Sequence, residues 1–237
     1  MAVVEFKLDK NVAVVTLNDG ENRFNPKFLE GFLGVLDQIE TDTDANVLVV
    51  TSSHEKIFSN GIDLDWLVPQ VQKGDIETAK GFFYTMNRLF RRLLLYPMPT
   101  VGAISGHAFA GGAIMSCAFD FRFMRSDRGF FCFPEVDLGI PFLPGMIALI
   151  GKAIPQYKFE ELQYTGKRAT AQECEAHHIV TKACHMDDLM NETLAFAKGL
   201  NKRREIISEM KKRMYKQIVH AFDVEDPPMI DSGQFNV

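Results

Sequence analysis

The run Val47-Leu-Val-Val-Thr51 offers no polar side chain on either face until its last residue. A strand turns successive side chains to opposite sides, so a run that is apolar at every position must be covered on both. Thr100-Val-Gly-Ala-Ile104 has the same character. Helical periodicity lies before, between and after these two runs. Such a chain is confined to an α/β layered core in which helices cover the strands.

The neighbouring segments agree. Val3–Leu8 and Val12–Leu17 alternate as two strands joined by a turn at Asp9-Lys10-Asn11. Pro26 suits the first turn of a helix carrying Phe28, Phe32, Val35, Leu36 and Ile39 at helical spacing. A short helix is expected near Leu64–Val68 and a longer one over Ile76–Leu95, stopped by Pro97 and Pro99. Phe121–Arg125 reads as another strand, and Gly145–Ile154, Tyr157–Tyr164 and Thr170–His177 as helices. The last of these has an N-cap threonine with Glu173 three residues on. From about Asp187 to Phe222 the tail is expected to be helical throughout. Residues 1–190 form the expected core and 191–237 a C-terminal helical region.

Composition narrows the function classes. The 237 residues are 46% apolar and carry a formal charge of −5, which argues against a chain-wide nucleic-acid surface. No apolar run reaches the roughly 18 residues needed to cross a bilayer. The start alternates like a strand rather than showing a signal or transit pattern, and GQFNV is not a peroxisomal SKL-type ending. Cys117, Cys132, Cys174 and Cys184 form no CxxC pair and read as reduced thiols. The expected compartment is cytoplasmic, with no nucleic acid and no membrane as partner.

Two glycine-bearing turns follow buried strands. Gly106-His-Ala-Phe-Ala-Gly-Gly112 precedes a very apolar helix from Ala113, and Lys56-Ile-Phe-Ser-Asn-Gly-Ile-Asp-Leu64 follows the Val47 strand. Glycines let backbone N–H groups approach a ligand, and ligands of open α/β sheets bind beyond the carboxyl ends of strands. Both turns can therefore face one crevice, although tight packing alone would also explain either. The remaining puzzle is Glu135, in Phe130-Phe-Cys-Phe-Pro-Glu-Val-Asp-Leu-Gly-Ile-Pro-Phe142. An acid in so apolar a stretch is either a loop residue in water or a buried group with a task.

Taken in order, Ile57-Phe-Ser-Asn-Gly-Ile-Asp-Leu, Pro99-Thr-Val-Gly-Ala-Ile-Ser-Gly-His-Ala-Phe-Ala-Gly-Gly, Phe133-Pro-Glu-Val-Asp-Leu-Gly-Ile-Pro and Thr165-Gly-Lys-Arg-Ala-Thr-Ala-Gln-Glu-Cys resemble the crotonase (enoyl-CoA hydratase/isomerase) superfamily. None of the four is specific alone; the order over residues 3–190 carries the resemblance. It implies a spiral of ββα units with a C-terminal helical region that builds trimers or dimers of trimers. It implies an acyl-CoA thioester as substrate, with no metal and no cofactor beyond the coenzyme A that the substrate brings. By position the backbone N–H groups of Ile62 and Gly111 would form the oxyanion hole. Asn60, Asp63, Leu64 and Gly112 flank them as expected substrate-binding residues. Arg23 and Phe24 match the segment that lies against coenzyme A, where Arg23 would meet a phosphate or remain solvated.

One departure decides the subclass. Similar hydratases carry a glutamate three residues after the second oxyanion glycine, and Ile114 stands there instead. The second family glutamate matches Glu135. A single carboxylate resembles the Δ3,Δ2-enoyl-CoA isomerases, in which one base moves a proton from C2 to C4. The alternatives are another crotonase reaction (hydration, thioester hydrolysis or decarboxylation) or a non-catalytic acyl-CoA-binding protein. Other residues read as structural: Asp137, two positions on in an extended segment, faces away; Asp63 caps the helix after it; Glu173 and His177 form a surface pair; His107 supports its turn; His178 ends a helix. Asn201–His220, with Ile206, Met210, Met214 and Ile218 at four-residue steps, reads as an amphipathic helix with a solvated basic face. Supplying charge to coenzyme A phosphates is its functional alternative.

Overall fold

Lys10 takes a left-handed backbone (φ 57°) and folds β1 (Val4–Asp9) back on β2 (Val12–Leu17) as an antiparallel pair. The structure is a computed structural model and describes residues 2–235, so Met1 and the last two residues of the GQFNV ending lie outside it. β3 (Arg23–Phe24) leads into α1 (Pro26–Asp42), where the Asn25 side chain accepts from the Phe28 N–H (3.0 Å) and Pro26 occupies the first turn. Then come β4 (Val47–Ser52), β5 (Ile57–Ser59), β6 (Gly61–Ile62), α2 (Leu64–Gln72) and α3 (Ile76–Leu94). The middle of the chain holds β7 (Thr100–Ile104), β8 (His107–Phe109), α4 (Gly111–Ala118), β9 (Phe121–Arg125), β10 (Phe131–Cys132) and α5 (Glu135–Leu138). The rest runs through α6 (Pro144–Ala153), α7 (Gln156–Thr165), α8 (Ala171–Ala176), β11 (Lys182–Cys184), α9 (Met186–Lys198), α10 (Arg204–Met214), α11 (Lys216–His220) and α12 (Asp226–Asp231). A π-helical turn at Ala221–Glu225 joins the last two.

Strands pair in the order β1-β2-β4-β7-β9-β11, parallel except for the first pair. A second parallel sheet runs β10-β8-β5, and β3 pairs with β6. Each long strand β4, β7 and β9 is thus followed by a short strand that joins the second sheet in the same order. This is the crotonase-type spiral of ββα units. The apolar runs are covered on both faces, as their sequence requires. Val12, Val14, Val47, Val49, Val101 and Ala103 pack under Leu189 and Ala197 of α9, while Val15, Leu48 and Val50 face the larger core.

Three expectations need correction. The tail is not one helical stretch: it stops at Gly199, turns through 199–203 and restarts at Arg204. The physical reason is that α9 is committed to the sheet while α10 is drawn elsewhere. The Arg204 guanidinium donates to the carbonyls of Glu40, Thr43 and Ala45 at 2.6–2.8 Å, pinning the restart to the end of α1. The boundary read at residue 190 falls inside α9. Nor is the basic face of the tail wholly solvated, because Lys211 is buried against Asp120 (2.6 Å). The four cysteines are unpaired and buried.

Candidate active site

The two glycine turns meet. Gly61 has φ +72°, and a Cβ there would collide with the Gly111 nitrogen; a Cβ on Gly111 would stand 2.9 Å from the Phe24 ring. Only glycines let β6 and the first turn of α4 approach so closely. The Asp63 N–H donates to Phe24 O (3.0 Å), so this side of β6 is spent on β3 and the intervening Ile62 N–H turns the other way. Ala110, the N-cap of α4, makes no side-chain cap and holds φ 49°, ψ −127°, a conformation that costs a non-glycine residue about 1–3 kcal/mol. It is held there from both ends. Its N–H donates to Cys132 O (3.0 Å), and its carbonyl accepts from Ala113 and Ile114 (2.9 and 3.0 Å). The first N–H groups of α4 are thereby left with no side chain over them.

Glu135 begins α5, a single helical turn entered through Pro134 and closed by Gly139 at φ +71°. The segment read as extended is therefore helical. Asp137 still points elsewhere, because two residues turn a helix by about 200°, and it is exposed. Phe133 packs edge-on against Phe131, Phe142 and Phe159, with ring centroids 5.6–6.0 Å apart, and this apolar bed carries the turn. Glu135 is 8% exposed, and its Oε2 has no hydrogen-bond partner. Burial raises its pKa to about 7, against a smaller opposing effect of its own backbone N–H.

A cavity of about 710 Å³ opens beside Glu135. Of the residues singled out in the sequence, Arg23, Asn60, Ile62, Leu64, Gly111 and Glu135 line it. Phe24, Asp63 and Gly112 do not. Phe24 is fully buried and stacks on Phe28 (5.5 Å) behind the Gly111 turn, and Gly112 presses on the backbone of Ser59. Asp63 occupies the N-cap position of α2 without capping it with its side chain. Its carboxylate accepts instead from Asn25 Nδ2 (3.4 Å), which corrects the capping expectation. Arg23 is held by Glu21 (2.7 Å) and Asp65 (2.9 Å), so a phosphate would have to displace exposed ion pairs worth about 1 kcal/mol or less each.

Ile114, singled out by its position in the sequence, also lines the cavity. Part of the wall was not anticipated: Phe83 and Met86 of α3 and Pro228, Met229 and Phe235 of the C-terminal segment. Phe235 stacks on Phe83 at 4.7 Å and 15°. Pro227-Pro228, in the first turn of α12, is the sequence signal that could have drawn attention to this segment. Elsewhere, Glu173 pairs with Lys158 and Lys167 while His177 meets the Tyr157 hydroxyl (3.0 Å), so those two share no partner. His178 does end its helix in the left-handed region (φ 57°). Half-buried His107 lies between Phe109 and Phe130. Among the described residues no group of three or more His, Cys, Asp or Glu could hold a metal ion, and no helix is long and apolar enough to cross a membrane.

The site is an apolar cavity with one high-pKa carboxylate facing a pair of glycine-bearing backbone turns. The description enoyl-CoA hydratase/isomerase belongs to a family model that matches residues 7–225. The chain is 29% identical over 233 residues to enoyl-CoA delta isomerase 3 of Arabidopsis thaliana, covering 94% of this chain and 96% of that one. It is 27% identical over 206 residues to a short-chain-enoyl-CoA hydratase of Clostridium acetobutylicum, covering 85% and 76%. The structure of an enoyl-CoA hydratase from Bacillus halodurans superposes with a TM-score of 0.87 at 18% identity, over 98% of this chain and 95% of that one. This chain belongs to the enoyl-CoA hydratase/isomerase family, and it is an enzyme of the crotonase type.

Proposed function

We propose that the protein is a Δ3,Δ2-enoyl-CoA isomerase in which Glu135 is the sole acid/base. One observation carries this reading: among the described residues Glu135 is the only carboxylate on the cavity wall, and the residue at the hydratase glutamate position, Ile114, lines the same wall as an apolar side chain. Adding water across a double bond is served by two acid/base groups; moving the bond needs one. The Glu135 carboxylate would take a proton from C2 of a 3-enoyl thioester. The electron pair released would spread over C2 to C4 and onto the thioester oxygen as a dienolate. The N–H groups of Ile62 and Gly111 would hold that oxygen, and the same carboxyl would return the proton to C4, leaving the double bond between C2 and C3. Atoms and charge balance without a redox group or a metal.

The apolar surroundings serve this chemistry twice. They bring the pKa of Glu135 near neutrality, where a base is strong enough to act and weak enough to give the proton back. They also keep water from the dienolate. The buried, unpaired thiols support a reducing compartment such as the cytoplasm. The exposed apolar row Ile206, Met210 and Met214 on α10 supports assembly of copies, as a trimer or dimer of trimers.

The test is Glu135→Gln. Turnover of a short 3-enoyl-CoA should fall by about 10³ or more while the affinity for a saturated acyl-CoA stays within about twofold. An unchanged rate removes Glu135 from the mechanism. Hydration is the second reading, favoured by the named hydratase among the relatives.

A further inference from the structure

The C-terminal end of α4 is ringed by cations that the proton transfer does not use. Lys152 of α6 donates from Nζ to the carbonyls of Cys117 (3.2 Å), Ala118 (3.3 Å) and Phe119 (2.8 Å). Arg122 of β9 donates to Phe119 O and to Ile179 O, both at 2.6 Å. Lys211 of α10 lies 2.6 Å from Asp120 and donates to Met98 O (3.0 Å). Asp120 also accepts from the Thr100 N–H (2.8 Å) and hydroxyl (3.1 Å). Arg122 is 7% exposed and Lys211 4%.

Burying a charge is costly, and water or a glycine can satisfy the last carbonyls of a helix more cheaply. The reason for the expense lies at the other end of the same eight residues. There, about 12 Å away, Gly111 starts α4 with no side-chain cap. An N-cap side chain would steady that end, but it would also occupy the N–H groups that an anion needs. The helix must be held from behind.

We propose that Lys152, backed by Arg122, is a positioning residue for the oxyanion donor at Gly111. It ties down α4 by its last carbonyls and opposes the negative pole of the helix, so the uncapped N-terminus stays formed and stays positive. This deepens the isomerase reading and rests on it.

The charge state of Lys152 matters in this account. The groups facing it are Asp120, Arg122, Lys211, Cys117 and Tyr215, whose ring lies 5.2 Å from the ammonium. Burial brings Lys152 down to about 8, and raises Cys117 to about 11 and Tyr215 to about 12. Burial lowers Lys211 as well, against the opposing Asp120 carboxylate. Loss of the Lys152 proton above pH 8 should therefore slow the enzyme.

Lys152→Met and Lys152→Arg test this, with two ligands: a nitronate-bearing acyl-CoA, a stable anion resembling the enolate, and a saturated acyl-CoA. In Lys152→Met, kcat and nitronate affinity should each fall about tenfold, the effect of one charge at this distance. Saturated-ligand affinity and KM should stay within about twofold, and the alkaline limb near pH 8 should vanish. Lys152→Arg should restore kcat and move the limb upward. Equal weakening of both ligands, or of neither, overturns the proposal. So does a limb that persists at pH 8 in Lys152→Arg, a result that holds even if the Met variant fails to fold. A wild-type protein with no isomerase turnover would sink the isomerase reading, but the two-ligand comparison would still decide this one.

Discussion

Glu135 would be more comfortable almost anywhere else in the chain. Its native pKa of about 7 stands above the ordinary 4.5 of a glutamate, so between those values the folded protein binds more protons than the unfolded chain. The contribution of this group to stability is complete below pH 4.5 and declines as pH rises through 7. At pH 8 the ionised, buried carboxylate should cost up to roughly 3 kcal/mol. Glu135→Gln should therefore raise the unfolding free energy at pH 8 and leave it nearly unchanged at pH 4, as read by chemical denaturation. A variant that stabilises the protein while abolishing turnover is the signature of a group kept for chemistry. The rate has the opposite dependence: the proposed base Glu135 must be ionised, so kcat/KM should climb tenfold per pH unit below about 7 and level off above it until the Lys152 limb near pH 8 sets in. Buried Asp226 has a raised pKa of about 6 for the same reason, burial. Its hydrogen bonds from Gly145 N–H and Asn87 Nδ2, both 2.7 Å, mark it as a structural anchor of the C-terminal segment.

Among the elements, the shortest strands govern the site. Gly61→Ala would drive a methyl into the Gly111 nitrogen and push apart the two turns proposed to hold the oxyanion. The expected loss is about 10²–10³ in kcat, with the melting temperature the control for general damage. These pieces were also the hardest to read from sequence. β2, β7 and β9 were legible because five or six residues of apolar pattern suffice to mark a strand. β3, β5, β6, β8 and β10 have two or three residues each, too few for any period, and emerge as strands only where the second sheet joins β5, β8 and β10 and β3 pairs with β6. Glu135 was legible through its odd apolar setting and the family pattern around it. The helical turn that carries it was not, because four residues between Pro134 and Gly139 look like any turn. Lys211 falls on the tail face expected to be solvated, and Lys152 sits in a helix with no pattern that sets it apart, since burial by distant elements leaves no local mark.

At the scale of the whole molecule, the cavity is closed by chain segments far apart in sequence. The tail returns across α3 to set Phe235 on Phe83, and the Tyr84 hydroxyl donates to Asp231 (2.8 Å) to hold it there. Phe235→Ala should weaken binding of acyl-CoA by about 1–2 kcal/mol and leave the pH limb near 7 in place, as titration calorimetry and rate profiles would show. Met210→Glu, placed in the exposed row of α10, should reduce the mass seen by light scattering if that row joins copies. The central claim is that one carboxylate in a dry cavity makes this family member an isomerase. The most direct measurement compares initial rates on two substrates: a short 3-enoyl-CoA, with the 2-enoyl product read out, and crotonyl-CoA, with hydration read out. The account predicts isomerisation faster by about 10² or more, the usual weight of one acid/base group. Hydration as fast as isomerisation would contradict it, because a second acid/base group would then have to act in the cavity beside Glu135.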